Sequence, residues 1–346
     1  MADVKTRTDL MNMLKPRWFN SDPLIVSVPD EEGKNNIYII NESLKHKVML
    51  IDFWDYTCIN CIRTVPYVNK WHERYAKLGL VIIGVHTPEF SVSTNRDNIG
   101  EAVKKFGITY PVVMDNDYGI WTGLQNQYWP RKILFNSRLE VIHDRIGEGG
   151  YKELETKIQH ALLEMSPGIT LPQIMEPIRN ADIPGIRCYP VTPELYCGFE
   201  RGQLGNSEGY NKNSESVMYT LPEKLEEDRI YLNGSWAATE ESIIATALPS
   251  SVELLYRAVE VNAVMSSLEN GRIKVYVEID KNPVEERAKG EDIMYDESCS
   301  YILVEKPRMY NITKNQLYKQ SLITLTPENA ALEVFAFTFV SCVEPN

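Results

Sequence analysis

The first half of the chain alternates continuous apolar runs with segments of helical spacing. Apolar runs at 48–54 and 80–85 are typical of strands that are buried on both faces. Between them, apolar residues recur every three or four positions from Cys58 to Leu78, and Gly79 follows. This spacing predicts an amphipathic helix that ends at the glycine. The succession predicts a parallel βαβ unit.

The same alternation continues to residue 165. The remaining predicted elements are a helix at 97–106, a strand at 110–114, a short helix at 118–124, a hairpin of 132–135 with 140–145, and a helix at 151–165. We therefore expect an α/β domain over residues 1–166.

A proline-rich segment separates this half from the rest. Residues 167–193 hold six of the 19 prolines. Because proline at this density is excluded from helix and sheet interiors, we expect an extended linker that lies over a surface.

The period changes to two after about residue 194. Apolar and polar residues alternate over 273–279, and 252–265 is one long β-prone segment. Near the end, Phe335, Phe337 and Phe339 are predicted to share one face of a closing strand. Several such strands separated by turn residues predict an antiparallel sandwich or jelly roll over 194–346.

Length and charge limit the classes of function. The chain has 346 residues, enough for two domains, and its net charge of −12 argues against a nucleic-acid partner. No apolar run is long enough for a transmembrane segment, and residues 1–15 lack the apolar stretch of a secretory signal. A cytoplasmic location is expected, or an extracytoplasmic one if the chain is part of a larger parent.

The main chemical candidate is Cys58-Ile59-Asn60-Cys61, at the junction of the first strand and the first helix. A helix N-terminus favours a thiolate over a thiol. Cys58 is therefore predicted to be an exposed attacking cysteine with a low pKa. Cys61, one helical turn later and more buried, is predicted to resolve the mixed disulfide.

Two other interpretations of the cysteine pair are weaker. Half of a zinc site has the same form, but no second Cys-x-x-Cys or close histidine pair follows, so no metal and no cofactor are expected. A peroxide-reducing site needs a proline and a threonine or serine at fixed distances before the cysteine. The positions seven and three residues before Cys58 are Ile51 and Asp55, so these donors are absent. Among the remaining cysteines, Cys188 and Cys197 form a loop disulfide or are free thiols.

Several residues near the pair are candidates for supporting roles. Asp52 lies within an apolar strand, where burial would raise its pKa toward that of a usable proton carrier; the alternative is a turn cap. Glu89 follows the second strand at its carboxyl end and would exchange protons with Cys61, orient a substrate, or simply be an exposed loop residue. Trp54 and Trp129 either form an apolar wall for substrate or pack in the core. Pro130, after Trp129, is a candidate for a cis peptide bond.

These motifs resemble the thioredoxin superfamily. The resemblance rests on Asp52-Phe53-Trp54 before Cys-x-x-Cys and on Trp129-Pro130 before a strand. It implies that Pro130 faces the disulfide and holds substrate backbone, and that Asp52 is the buried acid that assists proton transfer from the resolving thiol. Pro66 matches the proline of the active-site helix.

Further motifs are similar to the soluble C-terminal region of DipZ-type proteins, the last two of them to its second domain. They are Trp18-Phe19-Asn20-Ser21, Gly84-Val85-His86-Thr87-Pro88-Glu89-Phe90, Gly147-Glu148-Gly149-Gly150, Thr192-Pro193-Glu194-Leu195-Tyr196 and Ala336-Phe337-Thr338-Phe339. The resemblance implies an α/β thioredoxin-like fold with a TlpA-like redox domain, followed by an all-β, carbohydrate-binding-module-like domain.

The expected function is thiol–disulfide exchange with protein or small-molecule substrates, supplied by an electron donor that the sequence does not identify. The alternative is a binding module in which the β-domain recognises a sugar or a protein. It rests on aromatic residues that look exposed, although aromatics at strand spacing also build cores: Tyr231, Trp236, Tyr276 and Tyr310.

Overall fold

The structure is a computed structural model that describes residues 28–29, 35–36, 46–186, 188–269, 271–314 and 317–342. Trp18-Phe19-Asn20-Ser21 lies outside the described residues. The chain divides into two compact units, with the boundary between Asp182 and Ile183. The predicted linker spans this boundary. No helix in the described part is long and apolar enough to cross a membrane.

In its described residues, the first unit contains a five-stranded sheet and four α-helices. Its elements are β1 (Val28–Pro29), β2 (Asn35–Asn36), β3 (Val48–Trp54), α1 (Ile59–Tyr75), β4 (Leu80–His86), α2 (Arg96–Lys105), β5 (Val112–Met114), α3 (Gly119–Gly123), β6 (Arg131–Phe135), β7 (Val141–Ile146) and α4 (Tyr151–Met165). β1 and β2 form a separate two-stranded pair. A short 3₁₀ turn, Ala76–Leu78, continues α1 to Gly79, which has a φ of 110°.

The five strands lie in the order β5-β4-β3-β6-β7, with β3, β4 and β5 parallel and the last two antiparallel to their neighbours. Alternate residues of β3 serve two cores. Val48, Leu50 and Trp54 pack in the cluster that holds α1, α2 and α4 residues. Met49, Ile51 and Phe53 pack in the cluster that holds Ile120 of α3. This two-sided burial explains the continuous apolar run.

Residues after α4 stay with the first unit as far as Asp182. The segment packs along α1 and α4 through specific bonds. Gln159 Nε2 donates to the Pro172 carbonyl at 2.7 Å, and the Met175 N–H donates to Glu155 Oε2 at 2.9 Å. The Ile178 N–H donates to the Tyr67 hydroxyl at 2.8 Å.

The second unit is an antiparallel β-sandwich. Its strands are β8 (Leu195–Tyr196), β9 (Val217–Tyr219), β10 (Tyr231–Ala238), β11 (Ile243–Ala245), β12 (Ser251–Ala258), β13 (Glu260–Ser267), β14 (Ile273–Ile279), β15 (Asn282–Pro283), β16 (Met294–Asp296), β17 (Cys299–Val304), β18 (Arg308–Thr313), β19 (Lys319–Pro327) and β20 (Leu332–Val340). The prediction of an α/β domain followed by an antiparallel sandwich is confirmed.

One strand belongs to both layers of the sandwich. The first part of β10 pairs with β12, in the layer β16-β17-β14-β19-β12. Its last part pairs with β11, in the layer β11-β20-β13-β18. Gly234 lies between the two parts with a φ of 82°. A Cβ there would lie 2.1 Å from the Pro249 carbonyl oxygen, so the crossing requires glycine.

The β-prone segment 252–265 forms two strands, β12 and β13, which meet at Val259. The structure corrects one predicted strand, the closing one. The three phenylalanines of β20 do not share one face: the pairing with β13 shifts between Val264 and Met265, so Phe335 is bulged out of phase. Phe337 and Phe339 remain in the core cluster of the sandwich, and Phe335 is not in it.

Cysteine pairing and aromatic exposure also differ from expectation. Cys188 forms a disulfide with Cys342, 154 residues away, rather than with Cys197, which is a buried free thiol. Three of the four aromatic residues that looked exposed are buried, at 2%, 0% and 1% exposure: Tyr231, Trp236 and Tyr310. Their place in the core removes most of the surface on which the sugar-binding alternative rested.

Candidate active site

The two cysteines lie at the start of α1, where β3 runs into the helix. Cys58 is the N-cap residue with extended backbone, and its Sγ accepts the Cys61 N–H at 3.3 Å. Both thiols are free and buried, with 7% of Cys58 and none of Cys61 exposed. Pro66 lies inside the same helix. One backbone donor at the helix N-terminus is thus aimed at the candidate nucleophile.

The expectation of an exposed Cys58 thiol with a low pKa is wrong for this reduced form. Burial raises the pKa of Cys58 well above its ordinary value, and the neighbouring Cys61 and the charge of Glu89 add to the increase. The Cys61 N–H acts in the opposite direction but is outweighed. Burial also raises the pKa of Cys61, against the opposing effects of the Cys58 thiol and Lys132. Desolvation therefore dominates over the helix terminus.

Asp52 is fully buried, as its apolar surroundings predict, and Lys132 is its partner. The two residues are opposite each other on β3 and β6, and Lys132 Nζ lies 3.3 Å from Asp52 Oδ1. Burial raises the pKa of Asp52, and Lys132 offsets only part of that increase. The Asp52 charge also raises the pKa of Cys61, so the carboxyl and the inner thiol are electrostatically coupled.

Asp55 joins the turn before Cys58 to the loop that follows β4. Its Oδ1 accepts the N–H and the hydroxyl of Thr57 at 2.8 and 2.9 Å. Its Oδ2 accepts the Glu89 N–H and, at 2.7 Å, the Ser93 hydroxyl. His86 Nε2 lies 3.6 Å from Oδ1. Burial opposes ionisation of Asp55, but His86 and the N–H donors outweigh it, so the pKa of Asp55 is lowered.

Asp55 therefore fixes Glu89 near the cysteines. The Glu89 side chain is half-buried, and its charge contributes to the raised pKa of Cys58. The structure thus associates Glu89 with Cys58 rather than with Cys61, the residue with which proton exchange was expected.

The Trp129-Pro130 bond is cis, as the sequence suggests. Phe53 of β3 is opposite Arg131 of β6, so Pro130 enters the sheet at the end of β3 that leads to Cys58. Trp129 is half-buried, donates its Nε1 to the Thr87 carbonyl at 2.9 Å and packs on Trp121 with ring centroids 4.1 Å apart. Trp129 is therefore held in place beside the candidate site.

Trp54 does not fit its predicted role as a wall for substrate. Its side chain is fully buried, edge-on to His86 at 5.2 Å between ring centroids. A residue with no exposed surface packs in the core and cannot touch a substrate at the surface.

Sequence reasoning missed Lys132 and gave Asp55 no positive role. Lys132 directly precedes the apolar residues 133–135 of its strand, and that signal was available, but its partner depends on strand register. The described residues contain no group of three or more His, Cys, Asp or Glu side chains arranged to hold a metal.

The chain is similar to several known proteins. Residues 192–339 match the family model of the thioredoxin-like C-terminal domain. The protein DipZ of Mycobacterium bovis is 35% identical over 225 residues, which are 65% of this chain and 32% of DipZ. The thiol-disulfide oxidoreductase YkuV of Bacillus subtilis is 29% identical over 118 residues, which are 34% of this chain and 79% of YkuV.

The chain is also similar to solved thioredoxin-like proteins. One of them is a thioredoxin-like protein solved in its oxidised form. The match covers 34% of this chain and 79% of the solved chain, with 29% sequence identity and a TM-score of 0.32. Because this chain spans about a third of DipZ, the similarity relates it to one part of that protein. Within the first unit, the cysteine pair and the cis-proline lie at the carboxyl end of β3, and the buried Asp52 lies inside that strand.

Proposed function

We propose that the chain is a thiol–disulfide oxidoreductase whose redox centre is Cys58 and Cys61. The observation that carries the proposal is the Cys61 N–H donated to Cys58 Sγ at the N-terminus of α1, with both cysteines free. The names of YkuV and of ResA of Bacillus cereus, both thiol-disulfide oxidoreductases, support this class of reaction.

The reaction consists of two exchanges. The Cys58 thiolate attacks one sulfur of the substrate disulfide, and the other sulfur leaves with the bonding electron pair. Cys61 then loses its proton and attacks Cys58 Sγ, which forms the Cys58–Cys61 bond and releases the second substrate sulfur as a thiolate. Two electrons pass from the cysteine pair to the substrate, and the reverse sequence oxidises a dithiol.

Four further residues have roles in this proposal. Asp52 accepts the proton of Cys61 in the second exchange, because it is the carboxyl that is coupled to that thiol. Glu89 accepts the proton of Cys58 as substrate approaches. Trp129 and Pro130 present backbone and apolar surface to the chain that carries the substrate disulfide.

We propose that the substrates are disulfides of proteins or of small thiols. The names of YkuV and ResA support disulfides as the class of substrate.

We also propose an extracytoplasmic location, since the Cys188–Cys342 disulfide is of a kind that persists in oxidising compartments. Counting the free thiols of protein isolated from each compartment under alkylating conditions would check this location. A reduced Cys188–Cys342 pair in the native compartment would contradict it.

The proposal is tested by reduction of insulin disulfides with wild type, Cys58→Ser and Cys61→Ser. We expect no turnover with Cys58→Ser. Cys61→Ser should accumulate a mixed disulfide with substrate, visible as a mass increase that dithiothreitol removes. Cys299→Ser is the control because Cys299 is a free exposed thiol of the second unit. Equal turnover by Cys58→Ser and wild type would refute the assignment.

A further inference from the structure

A group of buried polar atoms lies behind Cys61, and only some of them have a role in the proposed reaction. Among the described residues, the Tyr110 hydroxyl and Trp54 Nε1 have no hydrogen-bond partner. The Asp52 carboxylate oxygens and Lys132 Nζ also lack one, apart from their mutual ion pair at 3.3 Å. All four residues are at most 1% exposed.

Strand register explains how these groups come together. Gly84 of β4, Asp52 of β3 and Lys132 of β6 form one row across three strands. A Cβ on Gly84 would lie 3.0 Å from Tyr110 Cε2 and 3.1 Å from Trp54 Nε1. Because Gly84 has no side chain, the phenol ring and the indole approach the sheet beside Asp52.

The Tyr110 hydroxyl is costly where it stands. A buried hydroxyl without a partner loses its hydrogen bonds to water, whereas a phenylalanine would fill the same space without that loss. The ring itself is accounted for by packing, including an edge-on contact with His72 at 6.0 Å between centroids. The hydroxyl therefore needs a separate explanation.

We propose that the Tyr110 hydroxyl is a positioning group for the second exchange, where it stabilises the carboxylate form of Asp52 that accepts the Cys61 proton. This rests on the proposed function and deepens it. In that step the Cys61 S–H bond breaks, the proton passes to an Asp52 oxygen, and the sulfur electron pair forms the bond to Cys58. The substrate sulfur leaves with the electron pair of the mixed disulfide.

Electrostatic coupling agrees with this geometry. Burial raises the pKa of Tyr110 well above its ordinary value, and the charges of Asp52 and Cys61 add to it. Tyr110 therefore keeps its proton and is available to donate a hydrogen bond to the carboxylate during the second exchange. A donor to the charged form of a carboxyl lowers the pKa of that carboxyl.

Few other titratable groups adjoin Asp52. Lys132 faces it from β6, Cys61 from α1 and Tyr110 from the segment before β5. His72 of α1 reaches the cluster only through the Tyr110 ring, and burial lowers its pKa, so it stays neutral. Glu155 of α4 is occupied by the Tyr75 hydroxyl at 2.6 Å and by Arg74 at 3.6 Å.

The test separates the two exchanges in one stopped-flow experiment. Every variant is made in a full-length Cys299→Ser background, with Cys58 and Cys61 reduced and the Cys188–Cys342 disulfide intact, so that no other exposed described thiol reacts. The protein is mixed with 5,5′-dithiobis(2-nitrobenzoate), which releases one coloured thiolate when Cys58 attacks and a second when Cys61 resolves. In Tyr110→Phe we expect an unchanged first phase and a second phase about tenfold slower near neutral pH, with its acid limb about one pH unit higher, since one pKa unit is a factor of ten. Tyr75→Phe, which removes a bonded hydroxyl of the same unit, should leave the acid limb in place.

A spectroscopic readout makes the result independent of rates. The infrared carboxyl band of Asp52, identified by its loss in Asp52→Asn, should titrate at higher pH in Tyr110→Phe. Gly84→Ala, which pushes Tyr110 and Trp54 away without removing the hydroxyl, should shift the band in the same direction. An unmoved band and an unmoved second phase in Tyr110→Phe would overturn the role of Tyr110. A two-phase reaction in Cys58→Ser would instead overturn the proposed function.

Discussion

Lys132 Nζ lies 3.3 Å from Asp52 Oδ1, and neither residue is more than 1% exposed. A carboxyl and an amine removed from water together stabilise each other only as a pair. The pair lies in the same row as Gly84, directly behind the inner cysteine. A change in this ion pair should therefore alter both the stability of the sheet and the protonation of Asp52 in the active site.

Lys132→Met should expose this link. With the cation gone and burial unchanged, the pKa of Asp52 should rise further, because Lys132 is what lowers it. A carboxyl whose folded pKa is raised costs stability as pH increases from the unfolded pKa through the folded one. We expect a loss of about 3 kcal/mol in the free energy of unfolding at pH 8 and a smaller loss at pH 5, measured by urea denaturation.

The double variant Asp52→Asn/Lys132→Met is the control for this pair. Because it removes both charges, it should recover much of the stability at pH 8. A double variant no more stable than Lys132→Met would mean that the two groups do not interact.

Glu89→Gln should make Cys58 more reactive toward alkylation. The Glu89 charge raises the pKa of Cys58, so its removal should increase the thiolate fraction at pH 7. We expect a severalfold faster reaction with iodoacetamide, and an alkylation profile displaced to lower pH by about half a unit. Turnover should nevertheless fall if Glu89 also accepts the Cys58 proton. The control Glu153→Gln replaces an exposed acid at the start of α4 and should change neither the alkylation profile nor the turnover. An unaltered alkylation profile in Glu89→Gln would contradict the coupling between Glu89 and Cys58.

Asp55→Ala should loosen the turn before Cys58. The substitution leaves buried N–H and hydroxyl groups of Thr57, Glu89 and Ser93 without their acceptor. We expect a loss of about 3 kcal/mol at pH 7 by urea denaturation, together with reduced insulin turnover. The folded pKa of Asp55 is lowered, so its contribution is present above the unfolded pKa and disappears as pH falls through the folded one. The difference from wild type should therefore shrink in acid, and a pH-independent difference would count against the ionised form.

Cys342→Ser should destabilise the second unit. The Cys188–Cys342 bond closes a loop of 154 residues, and loss of so long a loop closure costs about 4 to 5 kcal/mol in the chain-entropy model. The expected result is a lower urea midpoint for the transition of residues 183–346. Cys299→Ser removes a free thiol and should leave the midpoint unchanged. The pairing is incorrect if the two variants behave alike.

Local pattern predicted the first unit well because its elements have strong periodicity. The predicted strand at 48–54 and the final helix at 151–165 have the bounds of β3 and α4. Asp52 could be placed in the core because a carboxyl within an apolar run has few alternatives. Its partner could not, since the pairing of Asp52 with Lys132 depends on the register of β3 and β6.

Other features depended on contacts that a single sequence does not encode. The high pKa of Cys58 follows from burial, which local spacing at a helix N-terminus does not reveal. The phase change at Phe335 comes from a bulge against β13. The Cys188–Cys342 disulfide joins residues that only the completed sandwich brings together.

The strand shared by the two layers of the sandwich has a mechanical consequence. The layers cannot slide or separate without breaking the pairing of β10 with β12 or with β11 on either side of Gly234. Their melting should therefore be one event, and amides of both layers should exchange hydrogen with the same opening free energy. A bulky residue at position 234 would clash where β10 passes from one layer to the other, and it would disturb both layers at once.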